Sequence, residues 1–247
     1  MTAVLVIAGT DSSGGAGLAR DVATLTRFGA ETLCAVTAVT AQTDREVTAI
    51  ELLPAAVVQA QISAALATGR AAAVKVGMLG DREIVAAVAG ALPPRERLPL
   101  VLDPVLAATS GGSLLDAAGR AALTALLLPR TTLLTPNIPE AAALLGLAPA
   151  SSDEELVGQG RALCALGAAA VLMKGGHASG AAQAADWLVT QEGTVRKFTA
   201  PRLPAQRRGT GCALASGIAA GLAARLPLEA ACQRAKEYVT ELLQQPA

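Results

Sequence analysis

The feature that most constrains the fold is a series of short apolar runs that recur between helix-like segments. Ala3–Ala8 is continuously apolar and rich in β-branched residues, which is typical of a strand covered on both faces. Similar runs occur at Leu100–Val105 and Ala170–Met173, and segments with helical periodicity separate them. Strands that alternate with helices predict a mostly parallel sheet with helices on both faces. We see no composition break, and therefore expect one α/β domain over residues 1–247.

The same patterns predict the remaining elements. Val47–Leu53 is expected to be a short strand outside the main helical layers. The other predicted strands are Thr32–Thr40, Ala73–Val76, Thr132–Leu134, and a hairpin of Asp186–Val189 with Val195–Phe198. The predicted helices include Ala55–Thr68, Asp81–Ala91 with Asp81 as its cap, Ser151–Leu166 and Leu228–Leu243.

Charge and composition exclude several classes of partner. The 20 basic residues balance the 20 acidic ones, no basic block occurs, and aromatic residues are only 2%, so we expect no nucleic-acid partner. No apolar run reaches the roughly 18 residues of a membrane span, and the first residues lead straight into a strand rather than a signal peptide. The four cysteines form no CxxC pair, which predicts a reduced, cytoplasmic protein.

Polar or adaptable side chains follow six of the predicted strands. In open α/β sheets, ligands bind at the carboxyl edge, where such residues converge. A carboxylate such as Asp103 is costly at the end of a buried strand unless it is paired or bound to a metal. The six residues are Asp11, Gln42, Met78, Asp103, Asn137 and Lys174.

Two glycine-rich stretches precede predicted helices. Gly209–Cys212 opens an alanine-rich helix, where free N–H groups and the helix dipole favour an anion and would lower the pKa of Cys212. The alternative is a glycine turn before a buried helix, with Cys212 as a small core residue. Gly9–Gly17 lacks both the GxGxxG spacing and the P-loop lysine, so it suits a small polar ligand or is only a turn.

Asn137 and Glu140 are three residues apart, so they share one face of the first turn of a predicted helix. This spacing suits a ligand-binding pair, and it equally suits a helix N-cap with an acidic third position. The only histidine, His177, follows two glycines and has no evident partner, so we do not expect it to be catalytic. An anion-binding helix start beside polar strand ends favours phosphoryl transfer.

Several blocks together resemble one family. AGTDSSGGAG, KVGML, VLDPV, TPNIPEA and GTGC occur in family order along most of the chain. The sequence resembles the hydroxymethylpyrimidine and phosphomethylpyrimidine kinases of thiamine biosynthesis, which belong to the ribokinase-like superfamily. This resemblance implies a three-layer α/β fold with a strand flap over the site, for which Val47–Leu53 is the candidate. It also implies ATP and Mg²⁺ as cofactors, a small pyrimidine substrate, and a homodimer.

The resemblance also implies roles for individual residues. Cys212 stands where most of the superfamily carries a catalytic aspartate, and is expected to be the base that acts on the substrate hydroxyl. Lys174 is expected to contact a phosphate of the nucleotide or substrate, as is Asn137. Glu140, with Asn137 in the NxxE motif, is expected to hold Mg²⁺, and Asp103 to support it. The donors of the anion hole are expected to be Gly209, Thr210 and Gly211. The pyrimidine side is expected to comprise Gly9, Asp11, Gln42, Met78 and Val105.

Two departures from the family pattern stand out. Arg208 occupies the position before GTGC that is usually histidine, and Gln42 replaces the glutamate of some relatives; glutamine and glutamate can both pair with an aminopyrimidine edge. Two alternatives remain open. One is a pyridoxal or pyridoxine kinase of the same superfamily, and the other is a non-catalytic regulator that binds a pyrimidine.

Overall fold

A computed structural model describes residues 2–108, 112–175, 183–203 and 207–245. His177 lies outside these ranges, so its predicted lack of a catalytic role stays a prediction. No helix within the described ranges is both long and apolar enough to cross a membrane.

Eight strands form one sheet, and two further strands form a separate small sheet. The strands are β1 (Ala3–Ala8), β2 (Glu31–Val36), β3 (Ala38–Gln42), β4 (Val47–Leu52), β5 (Ala71–Val76), β6 (Leu100–Leu102), β7 (Leu133–Leu134), β8 (Ala170–Lys174), β9 (Gln183–Thr190) and β10 (Val195–Pro201). The order in the large sheet is β10-β9-β8-β7-β6-β5-β1-β2. Strands β1, β2, β5, β6, β7 and β8 pair in parallel. Strands β9 and β10 form the predicted antiparallel hairpin at one edge, and β9 pairs antiparallel with β8.

Helices cover both faces of the large sheet, as predicted. They are α1 (Gly17–Arg27), α2 (Ala55–Ala67), α3 (Arg82–Ala91), α4 (Ala117–Ala122), α5 (Ile138–Leu145), α6 (Asp153–Ala165), α7 (Thr210–Ala223) and α8 (Leu228–Gln244). A π-helical and a 3₁₀ segment continue α4 to Arg130, and this helical stretch was not predicted.

Strand β1 shows how the two cores are divided. Leu5 and Ile7 belong to the core beneath α2, α3 and α6, whereas Val4 and Val6 belong to the core beneath α1, α7 and α8. Successive side chains of a strand point to opposite faces, so a continuous apolar run supplies both cores. The three-layer α/β fold predicted from these runs is confirmed.

The small sheet of β3 and β4 is the predicted flap, but the strand before it differs from the prediction. Thr32–Thr40 is not one strand: β2 ends at Val36 in the large sheet, and β3 begins at Ala38 in the flap. The chain changes sheets at Thr37, where the buried hydroxyl donates to the Met78 carbonyl oxygen at 2.6 Å. Because this partner lies after β5, the local sequence carries no signal for the break.

Candidate active site

The centre of the candidate site is an ion cluster at the carboxyl ends of β6 and β8, which we call the Lys174 cluster (Lys174, Asp103 and Glu140). Lys174 Nζ lies 3.0 Å from Asp103 Oδ1 and 3.7 Å from Glu140 Oε2. The Thr135 hydroxyl, 3.2 Å away, also donates to Asp103 Oδ1. Burial opposes the charge on Lys174, but Asp103 and Glu140 outweigh it and raise the pKa of Lys174 above its usual value. The cluster therefore provides a fixed ammonium group beside two carboxylates.

Glu140 and Asn137 form a capping box at the start of α5. Asn137 Oδ1 accepts from the Glu140 amide at 2.8 Å, and Glu140 Oε2 accepts from the Asn137 amide at 2.8 Å. The helix-cap interpretation is therefore correct for both side chains, and the Asn137 oxygen is committed to the helix. Burial raises the pKa of Glu140 although Lys174 acts in the opposite direction.

The start of α7 lies against the Lys174 cluster. Gly209 is the N-cap residue with a φ of 75°, and a side chain there would collide with the Gly15 carbonyl oxygen, so only glycine fits. A Cβ on Gly211 would lie 3.4 Å from Lys174 Nζ and 3.6 Å from Asp103 Oδ2. In the part of the chain that the structure describes, no side chain caps this helix. The uncapped start of the helix thus lies close to a cationic side chain, and this combination suits an anion.

Cys212 lies in the first turn of α7, but its acidity differs from the prediction. Burial raises the pKa of the Cys212 thiol to about 11, with Asp21 and Asp103 acting in the same direction and Lys75 acting against them. The expected lowering of the Cys212 pKa by the helix start is wrong. The loss of solvation outweighs the charge of Lys75 and a backbone hydrogen bond from Gly17, which both act to lower the pKa.

Three buried polar residues behind Cys212 were missed by the sequence analysis, and we call them the rear network (Lys75, Asp21 and Ser216). Lys75 Nζ lies 2.7 Å from Asp21 Oδ2, and the Ser216 hydroxyl donates to Asp21 Oδ1 at 2.7 Å. Burial opposes the charge on Lys75, but Asp21 raises the pKa of Lys75 above its usual value. Ser216 is four residues after Cys212, so the network fixes the same face of α7. Lys75 stands in a strand, where alternation alone does not identify its partner.

The predicted pyrimidine side lies between the ends of β1 and β5 and the flap. Met78 packs in a small apolar cluster with Ala38 of the flap, and Val105 contacts this cluster from beyond β6. A Cβ on Gly9 would lie only 3.0 Å from Met78 Sδ, which explains the glycine. Gln42 ends β3, and its backbone N–H and carbonyl both bond the Ser12 hydroxyl, at 2.8 and 2.9 Å. Gly9, Met78 and Val105 therefore lie in one region, and their contact with a pyrimidine stays a prediction.

Asp11 is committed to neighbouring groups rather than open to a ligand. Its Oδ1 accepts from the Ser13 amide and hydroxyl at 2.9 and 2.8 Å, and its Oδ2 accepts from the Ala16 amide at 2.9 Å. Arg208 Nη2 also bonds Oδ2 at 2.9 Å. Burial would raise the pKa of Asp11, but the bonds from Ser13 and the charge of Arg208 lower it below the usual value. Asp11 thus fixes the loop between β1 and α1 to Arg208.

Comparison with known proteins identifies the family. A family model described as phosphomethylpyrimidine kinase matches residues 11–247. The hydroxymethylpyrimidine/phosphomethylpyrimidine kinase of Escherichia coli K12 is 42% identical over 242 residues, which cover 98% of this chain and 90% of the relative. The chain belongs to the phosphomethylpyrimidine kinase family.

Solved structures agree with this family membership. The phosphomethylpyrimidine kinase from Clostridium difficile 630 has a TM-score of 0.86 and 33% identity, covering 98% of this chain and 99% of that one. A pyridoxal kinase from Staphylococcus aureus, solved with AMP-PCP and pyridoxal, has a TM-score of 0.88 and 28% identity, covering 99% and 88% of the two chains. The predicted ribokinase-like fold and kinase activity are confirmed, and the more similar sequences do not favour the pyridoxal alternative.

The residues of the candidate site fit a divalent cation that also binds phosphate. Within the described ranges, no group of three or more His, Cys, Asp or Glu side chains has the geometry of a metal cage. Mg²⁺ typically uses one or two carboxylates together with water and substrate phosphates, rather than a complete protein cage. Asp103 and Glu140 supply two carboxylates against one ammonium, which leaves one negative charge for the metal.

Proposed function

We propose that this enzyme uses ATP to phosphorylate 4-amino-5-hydroxymethyl-2-methylpyrimidine, its monophosphate, or both. The observation that supports the proposal is the position of Gly211, because a helix start suited to an anion lies next to Lys174 and Asp103. Family membership supports the choice of substrate, since the relatives named for this reaction are also the more similar sequences. Bound ATP is supported by the related kinase that was solved with AMP-PCP.

The amides of Gly209, Thr210 and Gly211 would bind the γ-phosphoryl group as its charge develops. The substrate hydroxyl oxygen forms a bond to the γ-phosphorus, the bond from that phosphorus to the bridging oxygen breaks, and ADP leaves. Cys212 would accept the hydroxyl proton in its thiolate form, which is the minor form at neutral pH because burial raises the pKa of the thiol to about 11. Lys174 would hold phosphate oxygens, with Asn137 beside it through its amide group.

Asp103 and Glu140 would hold Mg²⁺, which supplies charge neutralisation on the phosphate oxygens. On the other side, Gln42 would read the aminopyrimidine edge, because an amide can both donate and accept hydrogen bonds. Gly9, Met78 and Val105 would contact the ring, and Asp11 would act by holding the loop. We further propose that the chain works as a single domain and as a cytoplasmic homodimer; its four free cysteines support a reducing compartment.

The test is a turnover assay with Mg-ATP and three separate acceptors: the pyrimidine alcohol, its monophosphate and pyridoxal. We expect ADP release with at least one pyrimidine and a kcat/KM for it well above that for pyridoxal. A pyridoxal preference, or pyrimidine binding without ADP release, would contradict the proposal.

A further inference from the structure

Arg208, the residue before the predicted anion hole, contacts the body of the enzyme and the tip of the flap at once. Its Nη2 bonds Asp11 Oδ2 at 2.9 Å, and its Nη1 bonds the Ser13 hydroxyl at 3.0 Å. The same Nη1 bonds the Thr43 carbonyl oxygen at 2.6 Å and Asp44 Oδ1 at 3.2 Å. We call Arg208, Asp11, Thr43 and Asp44 the front network. One guanidinium therefore joins the loop after β1 to the turn between β3 and β4.

The turn of residues 43–46 is bonded to the body of the enzyme by Arg208, and the Ser12 hydroxyl holds the backbone of Gln42 just before the turn. Its other hydrogen bonds are internal, such as the Thr43 amide to the Glu46 carbonyl oxygen at 2.9 Å. Among the described residues, Arg208 makes every hydrogen bond between this turn and the rest of the chain beyond β3 and β4. The base of the flap is held differently, since the Thr10 amide bonds the Ala38 carbonyl oxygen at 2.8 Å.

The contacts of Arg208 differ in strength. The Asp11 side chain is only 3% exposed, so its ion pair with Arg208 is shielded from solvent. The Asp44 side chain is 84% exposed, so its ion pair with Arg208 contributes little to stability. The Thr43 carbonyl is a backbone group, so the bond to it fixes the chain itself. The planar guanidinium allows Nη2 to hold Asp11 while Nη1 holds Thr43, which a single ammonium nitrogen does not reproduce.

We propose that Arg208 is a positioning residue that holds the flap tip against the start of α7, and that it fixes the position of Gln42 together with the Ser12 hydroxyl. Gln42 immediately precedes Thr43, so a fixed Thr43 carbonyl restricts where the Gln42 side chain can lie. Gly209 immediately follows Arg208, so the flap and the anion hole share one anchor. The part of this proposal that concerns substrate rests on the proposed pyrimidine kinase function.

The first experiment measures hydrogen exchange of the flap peptide, residues 38–52, by mass spectrometry without substrate. We expect Arg208→Ala to accelerate exchange of the flap tip by about 3- to 10-fold, because its tether to the body is lost. Arg208→Lys keeps a positive charge beside Asp11, so it should fold normally and give an intermediate rate. Arg207→Ala is the matched control, because Arg207 bonds the Leu242 carbonyl oxygen at 3.0 Å and should leave flap exchange unchanged.

Wild-type flap exchange in both Arg208 variants would overturn the proposal. If Arg208→Ala fails to fold, the lysine variant still decides, since its flap rate either rises or matches the wild type. The second experiment compares kinetic constants. We expect the pyrimidine KM to rise about 10-fold in Arg208→Ala, with a smaller change in the KM for ATP.

A loss of kcat with unchanged flap exchange would place Arg208 on the reacting phosphate and overturn the positioning role. Failure of the proposed function looks different, because the wild-type enzyme would then show no pyrimidine turnover, while the exchange experiment would still report on the flap.

Discussion

The rear network and the front network both hold the start of α7, but they differ in exposure to solvent. In the rear network, the side chains of Lys75 and Asp21 are 1% and 0% exposed. In the front network, Arg208 is 15% exposed and its flap partner Asp44 is 84% exposed. A buried ion pair is costly to break, whereas an exposed pair contributes little and can exchange partners with water. The rear ion pair is therefore costly to break, as is the shielded pair of Arg208 with Asp11, whereas the contact of Arg208 with Asp44 at the flap tip is the weak one.

The largest expected effect is on Cys212, which lies between the two networks. Removing a positioned base should lower kcat by about 10²–10⁴, with pyrimidine binding retained in Cys212→Ala. Cys212→Asp should recover part of the rate, and Cys212→Ser should do worse than Asp because its hydroxyl stays protonated. Turnover of Cys212→Ala near the wild-type rate would make Cys212 a packing residue, and then Asp should be the harmful variant through burial of a charge.

The raised pKa gives a second measurement on the same residue. The pKa of the Cys212 thiol is about 11, so the thiol is protonated at lower pH. At pH 7 only about one molecule in ten thousand carries the thiolate. Alkylation of Cys212 by iodoacetamide, in a Cys34→Ser background, should accelerate about tenfold per pH unit from pH 8 to 10. A plateau below pH 9 would show that the thiol is more acidic than its burial implies.

The rear network should control stability. Lys75→Met removes the ammonium partner of Asp21, so the buried carboxyl must either keep an unpaired charge or take up a proton, and the free energy of unfolding should fall by about 3–5 kcal/mol. Adding Asp21→Asn removes the uncompensated charge and should restore most of that loss, as measured by urea denaturation. A loss below about 1 kcal/mol in the single variant would contradict an ionised pair.

The Lys174 cluster is intermediate in exposure. Variants of Glu140 can separate the proposed metal-binding role of this side chain from its helix-capping role. Glu140→Gln keeps the capping box, because glutamine also serves at this position, but it removes the charge. We expect the Mg²⁺ concentration for half-maximal rate to rise about 10- to 100-fold, with an unchanged melting temperature. Glu140→Ala should raise the Mg²⁺ requirement and also lower the melting temperature, because it removes both the charge and the capping side chain. A lower melting temperature in the glutamine variant with an unchanged Mg²⁺ titration would leave only the helix-cap role.

Gln42 tests what the front network positions. Gln42→Leu leaves the aminopyrimidine edge unpaired, at a cost of about 1–3 kcal/mol in pyrimidine binding. The KM for the pyrimidine should rise while that for ATP hardly changes, and Gln42→Glu should be affected less than Leu. An equal rise in the KM for the pyrimidine and the KM for ATP would place the pyrimidine pocket elsewhere.

The smallest effect is expected at Asp44. Because its side chain is largely exposed, Asp44→Ala should change the free energy of unfolding by no more than about 0–1 kcal/mol. Flap exchange should also stay close to wild type, since Arg208 keeps its bond to the Thr43 carbonyl. An effect as large as that of Arg208→Ala would mean that the exposed ion pair, rather than the backbone bond, holds the flap.

Much of the fold could be predicted because its signals are local. The apolar run of β1 supplies both cores, and Asp81 caps α3 by accepting from the Ile84 amide at 2.8 Å, as its sequence position indicates. The break at Thr37 could not be predicted, because it depends on the carbonyl of Met78. The helical stretch that ends at Arg130 was also missed, since it continues α4 through π and 3₁₀ turns rather than one regular repeat.

The sequence by itself determined the α/β class, the edge of the sheet that carries the site, and the family. These depend on residue periodicity, turn glycines and motif order, which act over a few residues. Only the tertiary structure decided which charges meet: Lys75 and Asp21 are 54 residues apart, and Arg208 and Asp11 are 197 apart. It also reversed the expected acidity of Cys212, because desolvation depends on every segment that packs around the thiol.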